Sequence, residues 1–324
     1  MKNEKGPRER WGIVVWFLAA GIWPFSFIEA SESKDQTNFL KEADRAYYQG
    51  DLDKSVELYE RAIIENPQDA GARLSLGATY AEKGDWDRAI YHLERAAALN
   101  PKSVEIHLDL ALVCAEKGDF GAAVTYAKKA LSLDPKKAGA YHAMGLAYEG
   151  LGETDKAVHA YRLGIQRAPK NSDLHLTLGN LYGRQGDFRS AIKAYEKAIE
   201  ADPRNISAYS NMGYAYEETG KMDKAVDYFT RATKMGPADP VAWYDLGAAY
   251  DKQGNLLKAI EHYEKGFMMN PKSYKACMSL ALAYEKNRNL ERAAEFYTKA
   301  LSLTDDPKLR EAILRQITLA NSGE

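Results

Sequence analysis

The chain has 324 residues, of which 45% are apolar and 28% charged, a balance that is ordinary for a protein that buries a core. Its formal net charge of −2 leaves no broad positive field, so binding of nucleic acid, which needs clustered lysine and arginine, is not expected. The two cysteines, Cys114 and Cys277, form no CxxC or Cys/His spacing, so neither a metal site nor a disulfide framework is predicted for them.

Residues 1–30 are predicted to be a signal peptide or an N-terminal membrane anchor. The first ten residues are mildly basic, and residues 11–28 contain no charge. Eighteen such residues are borderline for spanning a bilayer but suit the apolar core of a signal peptide, with cleavage expected before Ser31. The alternative is an uncleaved anchor. Either version places the remainder of the chain outside the cytoplasm, because basic residues stay inside.

After a linker at residues 31–35, the sequence repeats with a period of 34 residues. Prolines mark the period at positions 67, 101, 135, 169, 203, 237 and 271. Glycines share it at Gly50, Gly84, Gly118, Gly152, Gly186, Gly220 and Gly254. Two further columns hold small residues, among them Gly77, Gly145, Gly179, Gly213 and Gly247 in one, and Ala89, Ala123, Ala157, Ala191 and Ala225 in the other. A fixed period of this length predicts a stack of similar structural units.

Each column of the repeat has a physical role in a helix–turn–helix unit. The glycine column ends the first helix, where the backbone must turn left-handed. Asp51, Asp85, Asp119 and Asp187 follow these glycines and are expected to cap the second helices. The small residues let the two helices approach closely, and the proline follows the second helix. Only the last repeat departs from the glycine column, with Arg288.

This pattern resembles that of the tetratricopeptide repeat family. The resemblance implies an all-α fold, a right-handed superhelical solenoid whose first helices line a concave face. The implied repeats are eight, at 36–69, 70–103, 104–137, 138–171, 172–205, 206–239, 240–273 and 274–307. Asp306 and Pro307 then start a predicted capping helix at 307–320, since proline is favoured at the first helical position. A tail at 321–324 ends the chain.

No motif for catalysis or for a cofactor occurs in the sequence. There is no phosphate-binding glycine loop, no HExxH zinc motif and no GxSxG nucleophile turn. His107, His142 and His175 come from consecutive first helices, but no carboxylate or cysteine joins them at a metal-ligand spacing. The prediction is therefore a protein that is not an enzyme and that takes no cofactor, metal or small-molecule substrate.

The resemblance also implies which residues face the groove. An apolar and amide floor is predicted from Leu74, Leu108, Leu112, Leu146, Leu176, Asn180, Tyr214, Tyr244 and Met278, with an acidic rim of Glu82, Glu116, Glu217 and Asp251. Such a floor suits an amphipathic helix or an extended apolar segment. Alternatively, some of the leucines only pack between adjacent first helices. The family's carboxylate clamp and asparagine run are not indicated, since only Asn180 and Asn211 match them.

The function expected from these features is a non-enzymatic scaffold that binds protein or peptide partners in the cell envelope, in the periplasm of a bacterium. Contact with a membrane is expected only through residues 11–28, if they are not cleaved. The alternative is an accessory or regulatory subunit of an envelope enzyme, or of a secretion, polysaccharide or pilus assembly system.

Overall fold

The computed structural model describes residues 34–322, and every regular element in that range is an α-helix. In chain order the helices are α1 (Lys34–Tyr48), α2 (Leu52–Glu65), α3 (Ala70–Glu82), α4 (Trp86–Leu99), α5 (Val104–Lys117), α6 (Phe120–Leu133), α7 (Ala138–Gly150), α8 (Thr154–Arg167), α9 (Ser172–Arg184), α10 (Phe188–Ala201), α11 (Ile206–Glu218), α12 (Met222–Met235), α13 (Pro240–Lys252), α14 (Leu256–Met269), α15 (Tyr274–Lys286), α16 (Leu290–Ser302) and α17 (Pro307–Ser322). Eight helix pairs thus precede a single last helix, which confirms the predicted all-α repeat fold.

The helices form two compact units, one of α1–α8 and one of α9–α17. Within each unit, helices that follow one another in the chain pack against each other, and the two helices of a pair have the most extensive contact. Cys114 lies in the first unit and Cys277 in the second, and both are buried free thiols. The predicted signal or anchor at residues 1–30 lies outside the described residues. Among residues 34–322, no helix is both long and apolar enough to cross a bilayer.

The turns inside the helix pairs follow the local rules read from the sequence. All seven glycines of the column have positive φ, between 73° and 88°. The side chains of Asp51, Asp85, Asp119 and Asp187 each accept a hydrogen bond from the backbone N–H three residues on, at 3.0–3.1 Å. Arg288 adopts the same left-handed conformation with φ 59°, the only described residue other than glycine to do so. The turn geometry is therefore kept even where its preferred residue is absent.

Small residues on the first helix of a pair make room for a large ring on the second. A Cβ atom at Gly145 would lie 2.3 Å from Cε1 of Tyr161, and one at Gly213 would lie 2.6 Å from Cε1 of Phe229. Both rings have no exposed surface. The backbone itself therefore forms part of the core wall, and any added side chain must displace a packed ring.

In several repeats, a hydrogen bond ties the first helix to the proline turn before it. Nε of Arg73 donates to the Pro67 carbonyl at 3.2 Å, and Nε1 of Trp243 donates to the Pro237 carbonyl at 2.9 Å. Nε2 of His107 lies 3.0 Å from the Pro101 carbonyl, which can only accept, so Nε2 carries the proton. His107 thus has a structural role in the turn.

The last helix covers the end of the second unit. The Asp306 carboxylate accepts a hydrogen bond from the Lys308 N–H at 2.8 Å, which caps α17 ahead of Pro307. Ile313 is buried against α15 and α16, and Ile317 packs beside it. The helix extends to Ser322, two residues beyond its predicted end at 320.

Candidate functional site

The candidate site consists of two surfaces, one in each unit, built from the first helices of the pairs. The unit-1 face is formed by α1, α3, α5 and α7, and the unit-2 face by α9, α11, α13 and α15. In unit 1, α5 packs directly on α3 and α7, and in unit 2, α11 packs on α9 and α13. Side chains from the same position of successive repeats are therefore brought side by side.

The apolar residues of the unit-1 face are half-buried, with one exception. Leu74 packs on the core of the first two repeats and Leu112 on that of the next, and Leu146 is also half-buried. Leu108 is only 4% exposed, because it is packed against small residues of α7, where a Cβ atom at Gly139 would lie 3.2 Å from Cδ2 of Leu108. The expectation that Leu108 is displayed for binding is therefore wrong, and packing between first helices accounts for it.

Carboxylates that form no ion pair distinguish the unit-1 face. Glu82 is exposed at the end of α3, and Glu116 is half-buried near the end of α5, where burial raises the pKa of its carboxyl. Asp109 lies two turns before Glu116, and burial, with a smaller contribution from the Glu105 charge, raises the pKa of Asp109 to about 7. Burial thus stabilises the protonated, neutral form of both carboxyls relative to a solvated carboxyl.

Hydrogen bonds between side chains connect the helices of the unit-2 face. The Asn180 Oδ1 atom accepts a hydrogen bond from Nδ2 of Asn211 at 2.7 Å and another from the Tyr195 hydroxyl at 3.0 Å. One repeat further along the chain, the Tyr214 hydroxyl donates to the carboxylate of Asp245, which is 6% exposed. Asn180 and Tyr214 are thus brought into a polar network that links α9, α11 and α13.

The rim of the unit-2 face is neutralised rather than acidic. The Lys252 ammonium group forms an ion pair with Glu217, and the Lys286 ammonium group lies 2.7 Å from Oδ2 of Asp251. Each lysine belongs to the repeat after that of its carboxylate, so the pairs join neighbouring first helices. The carboxylates of Glu217 and Asp251 are therefore matched by lysines, and their role in a partner-binding rim stays a prediction.

The apolar residues of the unit-2 face differ in how accessible they are. Leu176 and Met278 are half-buried on their respective cores. The Tyr244 ring packs on the backbone of Gly266, and its hydroxyl is buried without a hydrogen-bond partner among the described residues. Burial raises the pKa of Tyr244 to about 12. Tyr244 is thus half-buried against the core of the second unit, whereas Leu282, outside the predicted set, is 44% exposed and better placed for contact.

The histidines of consecutive first helices do not come together as a metal site. His107 is engaged with the Pro101 carbonyl, and His142 is buried with its ring 5.7 Å from that of Tyr161. Within residues 34–322, no group of three or more His, Cys, Asp or Glu side chains could hold a metal ion. Sequence reasoning missed Asp109 and Asp245, which occupy the sixth position of their repeats, because carboxylates on a helix are usually solvated and their burial depends on neighbouring repeats.

Two family models together match nearly all of the described residues. The model described as the C-terminal domain of cilia and flagella-associated protein 70 matches residues 140–319. A tetratricopeptide repeat model matches residues 40–104 and 79–140. Comparison with curated proteins gave no significant match.

Solved structures of similar fold come from several proteins. The crystal structure of the APC/C hetero-tetramer Cut9–Hcn1 is 16% identical, with 86% of this chain and 55% of that chain covered and a TM-score of 0.56. The structure of PilF from Pseudomonas aeruginosa is 16% identical, with 66% of this chain and 97% of that chain covered and a TM-score of 0.56. The crystal structure of MamA is 33% identical over 50% of this chain and 95% of that chain, with a TM-score of 0.44.

Proposed function

The chain belongs to the tetratricopeptide repeat family, and on that basis we propose that it is a non-enzymatic scaffold that binds segments of partner proteins on its first-helix faces. The observation that carries the proposal is the row of incompletely buried apolar side chains on these faces, Leu74, Leu112 and Leu146 in unit 1 and Leu176, Met278 and Leu282 in unit 2. Stacked repeats use extended surfaces of this kind to bind partners, and rows of accessible apolar side chains mark sites of interaction.

The two faces suit different partner segments. The unit-1 face has leucines beside carboxylates that form no ion pair. The unit-2 face has tyrosine and asparagine side chains, and its carboxylates Glu217 and Asp251 are paired with lysines. Amide and hydroxyl groups can hydrogen-bond an extended backbone, and leucines can take up the apolar face of a helix. One chain could thus hold two segments at once, which is the action of a scaffold.

Charge inserted into each face tests the proposed function. We expect Leu112→Asp and Leu282→Asp each to weaken capture of partner proteins from a membrane extract by about tenfold, since a carboxylate would replace an apolar contact. Tyr244 is unsuitable for this test because its ring packs on the backbone of Gly266 and its hydroxyl is buried. The measurement is the affinity of the full chain for partners identified by pulldown, with circular dichroism to verify that helix content is retained.

The matched control is Lys193→Glu, a charge change at an exposed residue of the second helix α10. It should leave partner capture unchanged. If Lys193→Glu abolishes capture while both leucine variants bind normally, the working surface lies on the second helices and the proposed site is wrong. Identification of the captured partners would also show whether the scaffold serves an envelope enzyme or an assembly system.

We propose further that the scaffold works in the bacterial cell envelope. The support is the sequence of residues 1–30, a mildly basic start followed by an uncharged apolar run. Mass spectrometry of the intact protein from fractionated cells should find either a chain that begins near Ser31 in the periplasm or the full chain in the membrane. Full-length protein recovered from the soluble cytoplasm would contradict both versions.

A further inference from the structure

One face of α5 carries three carboxylates around a leucine. Glu105, Asp109, Leu112 and Glu116 follow one another at intervals of four, three and four residues, which places them in one row along the helix. Glu105 is paired with the Lys137 ammonium group at 3.1 Å. Asp109 and Glu116 form no ion pair or side-chain hydrogen bond with any described residue. We call Asp109, Leu112 and Glu116 the α5 row.

The helices on either side of α5 have no cation at the positions that flank Asp109 and Leu112. At the positions that correspond to Asp109 and Leu112, α3 has Ser75 and Ala78, and α7 has Ala143 and Leu146. Glu82 at the end of α3 adds a further negative charge.

The imidazole of His142 on α7 is held neutral, because burial lowers its pKa to about 4. Lys137, at the start of α7, is the remaining cation, and its ammonium group is engaged with Glu105. Most of the side chains that flank the α5 row on α3 and α7 are small.

The protonation behaviour of the row reflects its burial. The pKa of Asp109 is raised to about 7 and that of Glu116 is raised as well, in both cases chiefly by burial. A carboxylate in such surroundings is stabilised by a cation within about 4–6 Å, which returns its pKa toward the usual range. Among residues 34–322, the cation whose charge acts on Asp109 is Lys137, which is already paired with Glu105, and Glu116 forms no ion pair.

We propose that the α5 row binds lysine or arginine side chains carried by an amphipathic helix of a partner protein. The inference rests on the proposed function and specifies the chemistry of the segment that unit 1 accepts. Asp109 and Glu116 are seven residues apart, so they lie about 10 Å apart along the helix axis, with Leu112 between them. A helix with basic residues seven apart and a leucine between them matches both charges and the apolar contact.

The probe is the helical peptide LKKLLKLLKKLLKL, which has lysines at this spacing, and its counterpart with every lysine replaced by glutamate. Calorimetric titration of the full chain at pH 7 and low salt should show binding of the lysine peptide only. Asp109→Asn and Glu116→Gln should each weaken that binding by roughly tenfold, because a charge-assisted contact is lost. Glu65→Gln, which removes an exposed carboxylate at the end of α2, should leave the affinity within about twofold, as expected for a remote surface charge.

Proton release provides a readout that a loss of packing would not give. Titrations in two buffers of different ionisation enthalpy should show that the unmodified chain releases up to about half a proton per bound peptide at pH 7, because the peptide's charge lowers the pKa of Asp109. The Asp109→Asn variant should release much less. Proton uptake, or equal release from both proteins, would overturn the assignment to Asp109.

The remaining outcomes separate this inference from the proposed function. Equal affinity for the glutamate peptide, or unchanged affinity of Asp109→Asn and Glu116→Gln for the lysine peptide, overturns the cation inference even if Leu112→Asp still impairs partner capture. A gain in peptide affinity when Lys2, Lys5, Arg8 and Arg10 are all replaced by glutamine would show that the chain's own N-terminus occupies the row. That result would overturn the inference of a separate partner.

Discussion

Gly179→Leu should destabilise the second unit by about 1–3 kcal/mol through overpacking. A Cβ atom at Gly179 would already lie 2.5 Å from Cε1 and 2.6 Å from Cδ1 of Tyr195. The Tyr195 ring is 1% exposed, and its hydroxyl is held at 3.0 Å by Asn180, so the ring is fixed at both ends. Relief of the clash requires α9 and α10 to separate or the hydrogen bond to break. Gly213→Leu should behave alike, since its Cβ would meet the buried ring of Phe229 at 2.6 Å.

Alanine substitutions at two glycines of the same helix separate the steric clash with Tyr195 from the effect of helix propensity. Gly179→Ala should destabilise, whereas Gly183→Ala should stabilise by up to about 1 kcal/mol, because alanine has the higher helix propensity. A Cβ at Gly183 would lie 3.4 Å from the Tyr195 hydroxyl, which is an ordinary contact distance. Urea unfolding monitored by circular dichroism measures both changes. Shifts of the same sign would show that helix propensity, and not the fit against Tyr195, governs the α9–α10 contact.

Acidification should destabilise the first unit through His142. Burial holds the pKa of this imidazole at about 4 in the folded chain, below the usual 6.5. Between these two pH values the unfolded chain binds the proton more readily, so the free energy of unfolding falls as the pH drops from 6.5 toward 4. The full difference corresponds to about 3 kcal/mol.

The effect of His142 must be measured against a variant, because other groups titrate in the same range. Asp109, with its raised pKa, acts in the opposite direction, since its folded form loses stability as the pH rises from 3.8 toward 7. The variant His142→Leu keeps Asp109 and removes the imidazole, and leucine is the residue that neighbouring repeats use at this position. The stability of the unmodified chain relative to His142→Leu should fall by about 3 kcal/mol between pH 7 and pH 4. The exposed His159 on α8 supplies the control variant His159→Leu. A relative stability of His142→Leu that does not vary with pH would show that the imidazole has the same pKa in the folded and the unfolded chain.

The candidate site was only partly predictable from the sequence. Asn180 and Tyr214 lie on a first-helix face and contact side chains of neighbouring helices, as the repeat phase implies. Leu108 and Tyr244 share that phase, but Leu108 is buried and Tyr244 is half-buried, because the backbone at Gly139 and Gly266 admits their side chains. Repeat phase fixes the direction of a side chain from its helix, while the neighbouring repeats determine whether it is covered.

The sequence by itself determined the features that depend on a few adjacent residues. The period, the left-handed glycine turns and the aspartate caps follow from backbone sterics and from hydrogen bonds over three residues, so they can be read without knowledge of the fold. Tertiary structure alone decided the charge state of the faces. Lys252 forms an ion pair with a glutamate 35 residues earlier, whereas Asp109 and Glu116 form no ion pair with a described residue. Those interactions depend on how far adjacent repeats are rotated and on the side chains that meet across them, and local sequence does not specify either.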